Sequence, residues 1–255
     1  MSASVARAPH AGFRLLDPIL LTVLALLMWQ AIASWTQGVA ITVPLTTFAY
    51  TGQLLLTARF WENIGATADA FALSFALSAV VGLSLGLVLG LRRFAGDVAE
   101  PVLAGFYTIP KVTLYPVVLL VFGLGMSAKV AFGVMHGLVP VTLLTMTAVK
   151  TLPPVLPRAA RALRLSPAQT MRWILMPACL PQIVAGLRLG FSLSLLGVLI
   201  GEMFSSQRGL GFLLVSGMAQ HNVPLATAVV LVIVVFAITA NVAMLRLSRR
   251  LTHAA

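Results

Sequence analysis

The sequence predicts an all-α, polytopic membrane bundle of about six transmembrane helices, and three observations predict it. Of 255 residues, 60% are hydrophobic and only 9% are charged, whereas a soluble domain runs near 45–50% apolar and about 25% charged. Mean hydropathy is +1.02, so the chain cannot cover itself with a water-facing surface, and disorder, which needs low hydrophobicity, is excluded as well. Long runs carry no Asp, Glu, Lys or Arg, among them 18–58, 70–91, 131–149 and 209–245. These runs have the length of helices and lack the alternation of barrel strands. The single cysteine, Cys179, excludes an internal disulfide framework and any cysteine metal cage.

A crossing needs about 20 apolar residues, which places six spans. The first is Pro18–Trp35. Basic residues precede it and Ala31-Ile32-Ala33 imitates a cleavage site, but the near-membrane length and the spans that follow favour a retained helix. Thr36–Asn63 is the longest stretch outside lipid on that side, with an interfacial helix expected around Gly52–Trp61. The second span is Ala66–Leu91. On it Ser74, Ser78, Gly82, Gly86 and Gly90 recur every fourth residue, a stripe of small side chains that lets another helix approach closely. It suits either packing within one subunit or a subunit interface.

The third span, Val102–Phe122, is interrupted by Pro110 and Pro116, and the fourth, Val130–Ala148, by Pro140; proline removes a helical hydrogen bond and kinks the helix. Lys111 falls at about mid-span, where an ammonium costs at least ~2.5 kcal/mol. It calls for a cavity, a counter-charge or an anionic substrate, or else it snorkels. His136, also mid-span, reads as a neutral packed side chain or a polar lining of a pathway.

Between the fourth and fifth spans lies Lys150–Pro181, reading KTLPPVLPRAARALRLSPAQTMRWILMPACLP. It is too polar and proline-punctuated to span, yet holds two short helical signals, within a segment of about 153–176. Pro153, Pro154 and Pro157 lead into Arg158–Leu165. Ser166-Pro167-Ala168-Gln169 then has the form of a capping box, opening a second helix expected to stop near Met176, before Pro177. The small apolar side Ala159, Ala160, Ala162 and Leu163 is a weak lipid anchor and, ringed by arginines, better suits a groove in another protein. The fifth and sixth spans, Gln182–Met203 and Leu225–Leu245, complete the set.

The charges then fall into place. Seventeen Lys and Arg oppose six Asp and Glu, for a net +11. Arg7, Arg14, Arg92, Arg93, Lys150, Arg158, Arg161, Arg164, Arg172, Arg246, Arg249 and Arg250 share one side if both termini are cytoplasmic; Arg59, Lys129 and Arg208 hold the other. This is a positive-inside bias, so the basic balance reports topology in a bilayer and no nucleic-acid partner is expected.

The stretch PRAARALRLSPAQTMRWILMPACLPQIVAGLRLG resembles the EAA loop of inner-membrane permease subunits of binding-protein-dependent ABC importers, most closely the nitrate/sulfonate/taurine-type group. The likeness extends from about 63 to 247 and includes GLVLGLRR, IPKVTLYPVVLLVFGLGMSAKVAF and GEMFSSQRGLGFLL. It implies a type I permease fold, preceded by an extra N-terminal helix at about 18–35, in a bacterial inner membrane. It further implies a homodimer of permeases, two ATP-binding subunits and a periplasmic solute-binding protein. ATP and Mg belong to the partner ATPase, with no cofactor or metal held by this chain; the sequence contains no G-x-x-x-x-G-K-[ST] phosphate loop.

By the same resemblance, Arg158, Ala159, Ala160, Arg161, Leu163, Arg164, Ser166, Pro167 and Gln169 form the coupling segment. Lys111 and His136 are pathway candidates, and Glu202, Arg208, Gly209 and Gly211 candidates for a periplasmic gate; Gln207–Gly211 also reads as a plain glycine turn. Two departures stand out: Arg158 replaces the loop's usual Glu, and Arg164 replaces its usual Gly. The implied solute is a small anion such as nitrate, a sulfonate or taurine.

Two rival classes are weaker. An intramembrane serine hydrolase needs a nucleophile with a positioned base, and Ser192 with His136 or His221 lacks that constellation. A secondary transporter built from internal repeats and paired broken helices finds no repeat here.

Overall fold

A computed structural model describes residues 16–253, with side chains from 19 to 246. Arg7 and Arg14 therefore lie outside the described residues, and the side chains of Arg249 and Arg250 outside the described side chains. Among the described residues there is helix and no strand. The elements are α1 (Leu16–Trp35), α2 (Pro44–Leu55), α3 (Ala58–Leu91), α4 (Arg93–Thr108), a 3₁₀ turn (Lys111–Leu114) and α5 (Tyr115–Phe122). They continue as α6 (Met126–Lys150), α7 (Val155–Ala162), α8 (Pro167–Thr170), a π turn (Met171–Leu175), α9 (Met176–Ser205), α10 (Leu210–Ala219) and α11 (Val223–His253).

Four described helices are long and apolar enough to cross a membrane: Ala58–Leu91, Met126–Lys150, Pro167–Ser205 and Val223–Arg246. The expected third span is not one rod. Arg93–Thr108 and Lys111–Phe122 meet at an 89° bend and make a fifth crossing only as a broken pair. Proline is the cause: Pro110 lacks an N–H and pushes the residue before it out of the α region, and Ile109 stands extended at φ −63°, ψ 133°. The expected first span is α1, Leu16–Trp35, an apolar helix of 20 residues, which is the length a crossing needs. Among the described residues, four long apolar helices, or five with the bent pair taken as one span, thus stand beside α1.

The core is a three-helix stack of α3, α6 and α9, and the small-residue stripe makes it possible. Ser74, Ser78, Gly82 and Gly86 are buried and Gly90 is half-buried, all on the face of α3 that meets α6. A Cβ at Gly82, Gly86 or Gly90 would come within 2.8 Å of the Cβ of Val141, Thr145 or Val149 respectively, so α3 and α6 run parallel at a separation only glycine permits. Ser74 Oγ donates to Ala70 O at 2.6 Å and lies 3.2 Å from Val130 O, which satisfies a hydroxyl that lipid would leave unpaired. On its other side α6 receives α9 antiparallel, with Gly190 beside Gly137 and Val141, and Gly197 beside Phe132 and Gly133. The stripe is consumed inside one chain.

α11 closes the third side. Phe71 on α3 meets Phe191 of α9 edge-on at 4.7 Å and Phe236 of α11 at 6.2 Å. α1 stands apart, its Ile19, Leu20, Leu21 and Leu27 all at least 60% exposed, held mainly by Trp29 Nε1 donating to Thr42 O at 2.9 Å. The extra-membrane helix expected at Gly52–Trp61 is instead α2, ending at Leu55. Thr57 is extended at φ −95°, ψ 130° and restarts the chain as α3, so Trp61 belongs to the long helix.

Candidate functional site

The helix directions bring Arg92, Arg93, Lys150, Arg158, Arg161, Arg164, Arg172 and Arg246 to one end of the bundle and Arg59, Lys129 and Arg208 to the other. Each end carries a distinct arrangement.

At the basic end α6 gives way to α7. Ala160 is buried, while Arg158, Ala159, Arg161, Leu163 and Arg164 are exposed, Leu163 at 69%. α7 ends in a Schellman turn: Leu165 N donates to Ala160 O at 3.0 Å and Arg164 N to Arg161 O at 3.0 Å. Such a turn needs a left-handed residue, usually glycine. Arg164 occupies it at φ 51°, which explains in backbone terms why the resembled pattern has Gly there. The capping box follows as spacing predicts: Gln169 N donates to Ser166 Oγ at 3.2 Å, and Ser166 N to Gln169 Oε1 at 2.8 Å, with Pro167 in the first turn.

The helix so opened does not stop at Met176. It runs through the π turn Met171–Leu175 into α9, giving one rod over Pro167–Ser205. Pro177 sits in the first turn of α9, and the π turn just before it absorbs the carbonyl that a proline N–H cannot serve. The segment is therefore continuous with the bundle: α7 lies against the π turn, and the helix beyond that turn is long and apolar enough to span a membrane. Beside it, Lys150 Nζ bonds both Asp97 Oδ1 at 2.6 Å and Glu100 Oε2 at 2.7 Å, tying the end of α6 to α4.

At the opposite end a buried charge pair organises the turn from α9 to α10. Glu202 is 0% exposed and Lys129 5%, with Nζ 3.6 Å from Oε1. Thr67 Oγ1 donates to the Glu202 carboxylate, 2.8 Å from Oε2, and Lys129 Nζ donates to Arg208 O at 2.9 Å. Three successive amides at the start of α10 are taken by side chains: Gly209 N donates to Asn63 Oδ1 (2.8 Å), Leu210 N to Thr67 Oγ1 (2.8 Å) and Gly211 N to Glu202 Oε2 (3.0 Å). A carboxylate against a helix N-terminus is electrostatically matched. Gly209 is at φ 122° and any side chain there would overlap the Glu202 carboxylate. The glycine run is thus more than a plain turn, because its amides and its missing Cβ atoms receive Glu202.

Sequence reasoning named Glu202, Arg208, Gly209 and Gly211, and the structure brings them together. It missed Asn63, Thr67 and Lys129 as their partners, since 135 residues separate Thr67 from Glu202 and no local spacing signals the pairing. The pathway candidates are not joined to this knot. Lys111 opens the 3₁₀ turn beyond the break, half-buried, its Nζ donating to Tyr107 O at 3.3 Å and lying 4.9 Å from that ring's centroid. His136 is buried on α6, its Nδ1 2.9 Å from Phe132 O. Among the described residues no group of three or more His, Cys, Asp or Glu is placed to hold a metal.

Comparison with known proteins gives a consistent set of relatives. The family described as binding-protein-dependent transport system inner membrane component matches residues 79–253. A probable ABC transporter permease protein of Haemophilus influenzae is 29% identical over 87% of this chain and 90% of its own length. The taurine transport system permease protein TauC of Escherichia coli is 26% identical over 78% of this chain and 73% of its own. A solved structure of inward-facing conformations of the MetNI methionine ABC transporter shares the fold, with a TM-score of 0.63 at 19% identity, over 75% of this chain and 97% of that one.

Proposed function

Because this chain belongs to the family of binding-protein-dependent transport system inner membrane components, it is the membrane permease subunit of an ABC importer, and we propose that two copies enclose the translocation path. In this reading two ATP-binding subunits, which carry ATP and Mg, dock on the basic end of the homodimer. A periplasmic solute-binding protein delivers solute at the Lys129–Glu202 end, and both termini are cytoplasmic, in a bacterial inner membrane.

The observation that carries the reading is the α7 segment at the basic end. α7 exposes its arginines and the turn after it exposes Leu163, and that Schellman turn leads directly into a rod continuous with α9. Displacing α7 therefore moves a core helix, which is what coupling of ATP turnover to alternating access requires. Arg158 and Arg161 add positive charge to that face, so the partner groove is acidic. The Glu202 knot holds α10 against α3, α6 and α9 as the outer gate element. Lys111, at the proline break, and His136, whose Nδ1 lies against Gly197 of α9, are the pathway candidates. The solute is a small oxyanion of the taurine, sulfonate or nitrate kind, a reading the taurine-system relative supports.

The test is a Leu163→Glu variant assayed in membranes. The permease inserts normally, but uptake and ATP-binding-subunit recovery both fall at least about tenfold, since a desolvated carboxylate in an acidic groove is strongly unfavourable. Unchanged uptake would remove α7 from coupling.

A further inference from the structure

Arg188 is a charged side chain of the bundle that neither the Glu202 knot nor the α7 segment uses. The residue lies on α9 midway between Gly186, which packs on Leu144, and Gly190, which packs on Val141, two residues from each. It therefore stands level with the middle of α6 (Met126–Lys150), well inside the apolar part of the bundle. Its side chain is half-buried. Nε donates to Asn241 Oδ1 of α11 at 2.8 Å, and among the described residues no carboxylate lies within salt-bridge distance of it. A neutral amide takes one donor and leaves the charge uncompensated. Charged side chains without a counter-charge are rare at this depth and mark functional sites.

The geometry is specific. With Nε donating to Asn241 Oδ1, the two Nη nitrogens keep a fork of parallel N–H donors, the arrangement that receives two oxygens of one oxyanion. Further along the same side of α9, Leu196 is 46% exposed. Ser192, one turn from Arg188, is also exposed, its hydroxyl directed to Arg188 O at 3.3 Å. The aromatic cluster of Phe71, Phe75, Phe191 and Phe236 lies next to it toward the Lys129–Glu202 end.

We propose that the Nη fork of Arg188, oriented by Asn241, is an oxyanion-binding contact within the membrane-spanning part of this chain. Two sources carry that chemistry: the head of a sulfonate-like solute in transit, or a lipid phosphate reached from the cytoplasmic leaflet. The solute source rests on the importer reading and deepens it by naming the group that receives the anion; the contact itself does not depend on that reading.

The experiment uses the full chain purified in dodecyl maltoside, which carries no phosphate, and reads the midpoint of thermal unfolding. Sodium methanesulfonate at about 50 mM, against sodium chloride at equal ionic strength, raises the midpoint of the natural protein by about 4 °C for a millimolar site. Arg188→Gln abolishes the shift and Arg188→Lys keeps a reduced one. In a parallel arm, dioleoylphosphatidylglycerol replaces methanesulfonate. An Arg188-dependent shift with methanesulfonate assigns the site to solute; one seen only with phosphatidylglycerol assigns it to lipid. Shifts of equal size in the natural protein and Arg188→Gln, or no shift with either probe, overturn the proposal. If Arg188→Gln does not fold, the comparison of Arg188→Lys with the natural protein decides: an undiminished response overturns it. ATP-binding-subunit recovery does not enter this readout, so the site and the importer reading fail separately.

Discussion

Arg164 holds a left-handed backbone at φ 51°, which costs an L-residue about 1–2 kcal/mol relative to the right-handed region. Glycine carries no such cost. Arg164→Gly should therefore tighten the turn after α7 by about 1 kcal/mol, visible as roughly fivefold greater protection of the 155–166 amides from hydrogen exchange; unchanged or lower protection would mean that the arginine side chain itself secures the turn. Lys129 and Glu202 behave differently, because both are buried. Removing one partner of such a pair strands the other and costs about 3–5 kcal/mol. Glu202→Gln should lower the unfolding midpoint by about 10 °C, and Lys129→Met by a similar amount. The double substitution should cost clearly less than the two singles together. Additive losses would show that the two side chains do not act as a pair.

At the scale of elements, the contact of α3 with α6 depends on absent side chains. Gly86→Ala sets a methyl against Thr145 Cβ and Thr142 O, and overpacking of this kind costs about 2 kcal/mol. Gly105→Ala, on exposed α4 with nothing within 4 Å, should instead be neutral or slightly stabilising. Thermal unfolding of the two variants side by side checks this, and equal effects would contradict the packing account. The stripe was legible in the sequence because its period of four is a local signal, and so was the capping box at Ser166–Gln169, whose two bonds span three residues. The 89° break was half legible: Pro110 announced an interruption, but a bend angle depends on what the two arms pack against. Pro177 misled, since a proline in a helical pattern reads as a stop and only the backbone shows the π turn that accommodates it. The Glu202 knot was legible as a list of residues and not as a geometry. Its partners Asn63, Thr67 and Lys129 come from two other helices, and that convergence is a property of the fold. Arg188 was hidden by its surroundings, being one charge within a span otherwise apolar enough to cross.

At the scale of the molecule, the two ends differ in kind. The Lys129–Glu202 end is a closed, buried network that fixes α10 to the core, and the basic end is an exposed segment continuous with a core helix. The proposed function assigns the exposed end to an ATP-binding partner, which is its central claim. The direct measurement is affinity purification of the full chain from its native membrane in mild detergent, with mass spectrometry and subunit stoichiometry. The account predicts a Walker-type ATP-binding protein recovered at one copy per permease, two of each per complex, and released by Leu163→Glu. A permease that purifies alone even after gentle cross-linking, or a partner retained in equal amount by Leu163→Glu, would contradict it.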